Sequence, residues 1–284
     1  MSLPTTSQIK ADDVINDLRE AYMEIIPTTN IEKKLKILQP HSYVAVTCSP
    51  TKGVDKTLDL SEKLVNQGFR VTPHIAAKCV RDQAHLSNIM GKLDALNIGS
   101  IFVPGGDRPE PLGVFNTAYD ILKAINEFDH NIKEIGIAAH PEGHPDVPDA
   151  KLMEELEKKK ELAQYIVTQM CFDADALGKW LVDISNRGIK LPVWVGLPGA
   201  IERTRLIKTS LRIGVGDSLR FLRKKSVVAA ELMKSSVYKP DDLVIDIAQY
   251  KNLPDTNIAG YHIFCFNQVE STENWRNEII ARLQ

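Results

Sequence analysis

Ile137-Ala-Ala-His-Pro-Glu-Gly-His-Pro-Asp146 is an apolar run that breaks into a loop with two histidines, two carboxylates and two prolines. The run reads as the end of a strand. A polar loop straight after a buried strand is where α/β folds keep their chemistry, because the sheet holds the loop rigidly while the loop stays open to ligand.

Similar apolar runs recur on both sides. Ala21–Ile26, Tyr43–Cys48, Arg70–Ile75, Ser100–Pro104, Glu134–Ala139, Tyr165–Gln169, Pro192–Leu197 and Ile258–Phe266 are the predicted strands. Amphipathic stretches lie between them: Lys56–Gln67, Arg81–Leu96, Thr117–Phe128, Met153–Leu162, Ala174–Arg187 and Ser226–Ser235. Their apolar residues fall at helical spacing, as in Leu86, Ile89, Met90 and Leu93. Gly68, Gly99 and Gly188 each follow a helix and precede a strand, as C-terminal caps do, and Asp173 stands where an N-cap is needed. Strand and helix in alternation imply parallel pairing through right-handed crossovers. Eight strands suit closure, so the expected fold is a single-domain (β/α)8 TIM barrel over residues 1–284. An open doubly wound sheet is the alternative, but its Gly-x-Gly-x-x-Gly fingerprint is missing. Ile201–Arg223 reads as extra helices after the seventh strand, and Met1–Asp12 as a loosely packed lead-in.

Composition narrows the function classes. A formal net charge of -2 and a pI of about 6.4 give no basic field for nucleic acid. No apolar run is long enough to span a bilayer and no leader is visible, so a cytoplasmic protein is expected. Cys48, Cys79, Cys171 and Cys265 form no Cys-x-x-Cys pair and read as reduced, buried small side chains. His140 and His144 are four apart, which suits a metal only on a helix, and Pro141 and Pro145 forbid one; no metal is expected there.

The strand ends offer a polar set: Glu24, Thr47, His74, Gly105-Gly106-Asp107, His140, Glu142, His144, Thr168, Gln169 and Asn267. In a barrel these converge on one mouth, where a small molecule binds. Each has a plainer reading: Glu24 as a paired carboxylate, His74 as a satisfied core histidine, Asp107 as a turn residue.

Taken in order, these fragments resemble the methylenetetrahydrofolate reductase family. Met23-Glu-Ile-Ile-Pro-Thr-Thr29, Val46-Thr-Cys48, Pro73-His-Ile75, Gly105-Gly-Asp-Arg-Pro109, Ala139-His-Pro-Glu-Gly-His-Pro145 and Val167-Thr-Gln-Met-Cys-Phe-Asp173 are similar to that family's motifs, with similar spacing. The resemblance runs from about Tyr22 to Asn267. It implies a TIM barrel that binds FAD and passes hydride from NADH or NADPH to a tetrahydrofolate derivative, 5,10-methylenetetrahydrofolate. It implies Glu24 as the acid that protonates the folate's bridging nitrogen, and Asp107 and Gln169 as folate-binding residues. Thr47, His74, Gly106, Asp107, Ala118, His140, His144 and Lys158 match positions that approach the flavin. The chain departs from the family with Gly105 in place of arginine, His140 in place of tyrosine, Thr117-Ala118 in place of Tyr-Ala, and Lys151 and Glu154 in place of Asp and Asn. A folate barrel without FAD is therefore the alternative, using direct nicotinamide hydride transfer or methyl transfer. A silent binding barrel is a further one. Homo-oligomerisation is left open.

Overall fold

The computed structural model describes residues 11–212 and 236–284. Helix α1 (Ala11–Arg19) leads into β1 (Tyr22–Ile25), a short α2 (Ile31–Leu35) and β2 (Tyr43–Val46). Then come α3 (Gly53–Asn66), β3 (Arg70–Pro73), α4 (Gln83–Ala95), β4 (Ser100–Val103), α5 (Ala118–Ile125), β5 (Glu134–Ala139), α6 (Asp149–Lys159), β6 (Tyr165–Thr168), α7 (Ala174–Asn186) and β7 (Val193–Pro198). After β7 stand β8 (Ile201–Glu202), α8 (Arg203–Arg212), β9 (Val237–Tyr238), α9 (Asp241–Ala248), β10 (Ile258–Phe264) and α10 (Val269–Leu283).

Eight strands pair in the order β3-β2-β1-β10-β7-β6-β5-β4, all parallel. The two ends of that sheet meet. His74 bridges to Phe102, and the Ile75 N–H donates to the Phe102 carbonyl at 2.8 Å. Two further bonds, Ala77 N–H to Pro104 O and Lys78 N–H to Gly105 O, extend the seam. The fold is thus the expected (β/α)8 barrel, closed between β3 and β4, with every strand's C-terminal end on one face.

Successive side chains along β1 alternate in direction. Met23 and Ile25 point outward and pack with Leu35, Val44, Val46 and Val269. Tyr22 and Glu24 take the opposite face. Tyr22 lines the barrel interior with Thr72, Phe102, Tyr165, Val167 and His262. Glycines make room for the large rings. A Cβ at Gly136 would lie 2.2 Å from the Tyr165 ring, and one at Gly260 would lie 2.6 Å from the Trp194 ring. The hydroxyl of Tyr165 donates to the Ile101 carbonyl at 2.9 Å, so the ring brings its polar tip to a partner.

Several local expectations change. Gly68 and Gly188 do take the left-handed conformation that ends a helix, with φ of +86° and +75°. After α4 that conformation belongs to Asn97 (φ 51°), not Gly99: the chain turns two residues earlier, and an Asn tolerates the position. Asp173 caps α7, accepting from the N–H groups of Asp175 and Ala176 at 3.0 and 3.1 Å. The segment after β7 begins with a strand that pairs antiparallel with β9 before α8 starts. The predicted helix Ser226–Ser235, most of Met1–Asp12 and the part of Ile201–Arg223 beyond Arg212 lie outside the described residues. Among the described residues no helix is long and apolar enough to cross a membrane.

Candidate active site at the C-terminal mouth of the barrel

Glu24 sits one residue before the end of β1, on its inward face. Its carboxylate oxygen Oε2 lies 3.0 Å from Nε2 of His262, which comes from the adjacent β10. The same oxygen lies 4.0 Å from Nε2 of His74, at the β3–β4 seam. The Glu24 side chain is 11% exposed, and the two histidines 4% and 6%. A carboxylate this enclosed needs a partner, and β10 supplies it. Burial pushes the His74 imidazole well below its ordinary range, and the neighbouring His262 pushes in the same direction. His74 Nε2 has no hydrogen-bond partner.

The sequence reading found Glu24 and His74 and missed His262. A signal was present: Gly260, His262 and Phe264 alternate with Tyr261 and Ile263, and Tyr261 and Ile263 belong to the outer core. The alternation puts His262 on the inward face.

Asn267, expected as the polar group at the mouth from the last strand, is occupied structurally. Its Oδ1 accepts the Ile26 N–H at 2.8 Å, and its Nδ2 donates to the Ile26 carbonyl at 2.9 Å and to Thr28 Oγ1 at 3.1 Å. Phe266 and Asn267 both hold positive φ, 46° and 63°. Thr168 is also committed: its hydroxyl donates to the Gln169 carbonyl and accepts the Gly196 N–H at 2.8 Å, joining β6 to β7.

The His-Pro-Glu-Gly-His loop has an internal logic. Glu142 reaches across to the next strand's loop, where Oε1 accepts the N–H groups of Phe172 and Asp173 at 2.6 and 2.8 Å. Those amides open the turn before α7, so a carboxylate is well suited there. The rings of His140 and His144 meet edge to face at 5.2 Å. Burial, with smaller contributions from His144 and Lys159, pushes His140 down to about 4. His144 Nδ1 accepts the Asp146 N–H at 3.1 Å.

None of the remaining residues shares a side-chain hydrogen bond or ion pair with Glu24, whose side chain meets His262 and His74 among the described residues. Thr47 follows β2 and is half-buried; its N–H donates to Ile25 and its carbonyl accepts from the Thr57 hydroxyl. Gly106 has φ +93°, and a Cβ there would lie 3.1 Å from that of Ala76, so glycine suits this turn. Asp107 is exposed. Gln169 is half-buried, and its Oε1 accepts the Met170 N–H at 2.8 Å. Ala118 is buried in the first turn of α5, beside the Thr117 cap. Lys158 points outward, paired with Glu154 and Glu155. The cation whose charge acts on His140 is its neighbour Lys159, which is buried and whose ammonium is held below its ordinary range by that burial. One step along α6 turns the side chain by about 100°, enough to exchange solvent for the barrel.

All four cysteines are free thiols. Cys79 is drawn down to about 7, chiefly by a hydrogen bond with Cys48 and also by the nearby Arg108.

Comparison with known protein families covers the barrel between Glu24 and His262 but neither of those two residues. A family model described as methylenetetrahydrofolate reductase matches residues 27–208. "Probable methylenetetrahydrofolate reductase (NADPH)" of Caenorhabditis elegans is 32% identical over 109 residues, 36% of this chain and 16% of that protein. "Methylenetetrahydrofolate reductase 2" of Saccharomyces cerevisiae is 30% identical over 89 residues, 30% of this chain and 15% of that protein. "Methylenetetrahydrofolate reductase 1" of Schizosaccharomyces pombe is 32% identical over 87 residues, 29% of this chain and 14% of that protein. The aligned stretch is thus about one-sixth of each relative's length. The family match takes in β2 to β7 and the loops after them, and on it the chain belongs to the methylenetetrahydrofolate reductase family.

Proposed function

We propose that this chain reduces 5,10-methylenetetrahydrofolate to 5-methyltetrahydrofolate with hydride from NADH or NADPH. The supporting observation is the enclosed carboxylate of Glu24, held at 3.0 Å by His262 at the active face of the barrel. Opening the methylene bridge of the folate turns one nitrogen into a leaving group, and an amine leaves only with a proton. A carboxyl group in the barrel mouth, positioned beside that nitrogen, can act as the general acid that delivers the proton. The cation left on carbon then accepts hydride. In this reading Asp107 and Gln169 accept and donate along the pterin edge.

FAD is the hydride carrier that the family resemblance implies. The chain's residues fit it poorly. Lys158, expected to approach the flavin, is engaged by Glu154 and Glu155 on an exposed helix face. Gly105 stands at the position of a second cation. No step is therefore assigned to the flavin, and the same observations favour hydride transfer directly from the nicotinamide. Lys159, buried and with no carboxylate at salt-bridge distance among the described residues, is the cation whose charge acts on the His140 region.

The test is the oxidation of NADH and of NADPH by purified protein, with and without methylenetetrahydrofolate, beside its visible spectrum. Folate-dependent oxidation by colourless protein supports the direct route. The same activity with absorbance at about 450 nm, the flavin band, restores FAD. Oxidation that never depends on folate would defeat the reading. A cytoplasmic location is part of this proposal, checked by fractionation, and light scattering decides whether the chain forms homo-oligomers.

A further inference from the structure

We propose that Glu24, His74 and His262 form a site for one divalent transition-metal ion of the zinc class, and that the ion, when bound, occupies the Glu24 carboxylate that the proposed reaction uses. Two imidazoles and one carboxylate are a donor set that zinc accepts, leaving a fourth position open. The three ligand atoms all lie within 4.8 Å of one another. On a tetrahedral zinc with bonds of 2.0–2.1 Å, ligand atoms stand roughly 3.3 Å apart. The Glu24–His262 pair already has that spacing, at 3.0 Å, and the Glu24–His74 pair stands at 4.0 Å. The third pair, His74 and His262, lies within 4.8 Å, so side-chain rotation brings all three atoms onto one ion.

A second, independent observation points to a ligand. His74 Nε2 is buried and has no partner, although its side chain is 94% enclosed and faces the other two groups. A buried nitrogen in that condition calls for a ligand. The supports are rigid: Glu24 and His262 lie on neighbouring strands of the barrel, with Glu24 in register with Phe264, and His74 makes the bridge that closes it. Aromatic rings wall the site, with Phe102 4.7 Å from the His74 ring and Phe264 5.2 Å from the His262 ring. Such walls limit water and strengthen charge-based binding. The partial exposure of Glu24 gives the ion a route in.

Metal binding at Oε2 and the two Nε2 atoms replaces the direct contact between Glu24 and His262 and takes the carboxylate out of reach of a substrate. The competition part of the proposal rests on the reading of Glu24 as the acid; the binding part does not.

The experiment is titration of chelator-treated, full-length protein with ZnCl2 by calorimetry and with CoCl2 by visible absorption. One ion per chain is expected, with d–d bands typical of a low-coordinate cobalt centre. His74→Ala, His262→Ala and Glu24→Gln should each weaken binding by at least about 100-fold. His262→Cys, which keeps a ligand, should retain it, and His41→Ala, an exposed histidine, should change nothing. Circular dichroism separates loss of site from loss of fold. Absence of stoichiometric binding, or binding that survives all three substitutions, overturns the site. ZnCl2 should also suppress folate-dependent NAD(P)H oxidation, and EDTA should restore it. Stoichiometric binding without inhibition overturns the competition. Failure of the folate assay itself defeats the proposed function and leaves the binding data standing.

Discussion

Asn267 clamps both backbone polar groups of Ile26, accepting its N–H at 2.8 Å and donating to its carbonyl at 2.9 Å. The clamp joins the end of the last strand to the end of the first, two residues beyond Glu24. It requires the left-handed backbone that Asn267 holds, and a short amide side chain tolerates that conformation better than most. Asn267→Ala should cost about 2–4 kcal/mol, from two unmatched backbone groups and an unfavourable φ. Asn267→Gly should recover only the backbone part. Urea denaturation of the three proteins checks this; equal stability of the alanine and glycine variants would remove the backbone contribution.

Glu24→Gln keeps the shape of the side chain and an acceptor for His262 but removes the proton that the mechanism needs. Turnover with methylenetetrahydrofolate should fall by roughly 10²–10⁴, with folate affinity nearly unchanged. Steady-state kinetics with a separate binding titration decide it. Unchanged turnover would take Glu24 out of the chemistry.

Glu142 secures the β5 loop to the turn before α7 by accepting two N–H groups. Glu142→Ala leaves those amides without their acceptor and should destabilise the protein by about 1–3 kcal/mol. Glu142→Gln retains an acceptor oxygen and should lose less. Thermal melts of both variants give the order, and a reversed order would refute the capping role.

Gly136 leaves space that the Tyr165 ring fills, with 2.2 Å between the ring and any added Cβ. Gly136→Ala should cost about 1–3 kcal/mol by overpacking. The cost should shrink in a Tyr165→Ala background, where the obstructing ring is gone. A double-mutant cycle measures the coupling, and additivity would disprove the contact.

His140 is held down to about 4 by burial, then by His144 and Lys159, against an unfolded value of about 6.5. Because the folded value is the lower one, the unfolded chain binds this proton first as pH falls. The stability that neutral His140 permits is intact above about pH 6.5 and is lost progressively toward pH 4, by roughly 3 kcal/mol at most. His140→Asn, which cannot titrate, should flatten the stability profile across that window. An unaltered slope would place the pH dependence elsewhere.

The sequence determined the barrel because its two periodicities are local. Alternating strand residues such as Met23, Glu24 and Ile25, and helical stripes such as Leu86, Ile89, Met90 and Leu93, are set by backbone geometry within a few residues. Helix ends were also legible where one side chain settles them, as at Asp173 and Gly188. The candidate site was legible only in part. Glu24 and His74 follow from a polar residue in or just beyond an apolar strand, whereas Asn267 gave the same signal and turned out to be a backbone clamp.

What tertiary structure alone decided is which distant residues meet. The contact of His262 with Glu24 spans 238 positions, and it exists because β10 pairs with β1 to close the ring. The preference for Lys159 over Lys158 beside His140 depends on the rotation of α6 against the barrel. Sequence spacing narrows that rotation to a face, and only packing fixes which lysine turns inward.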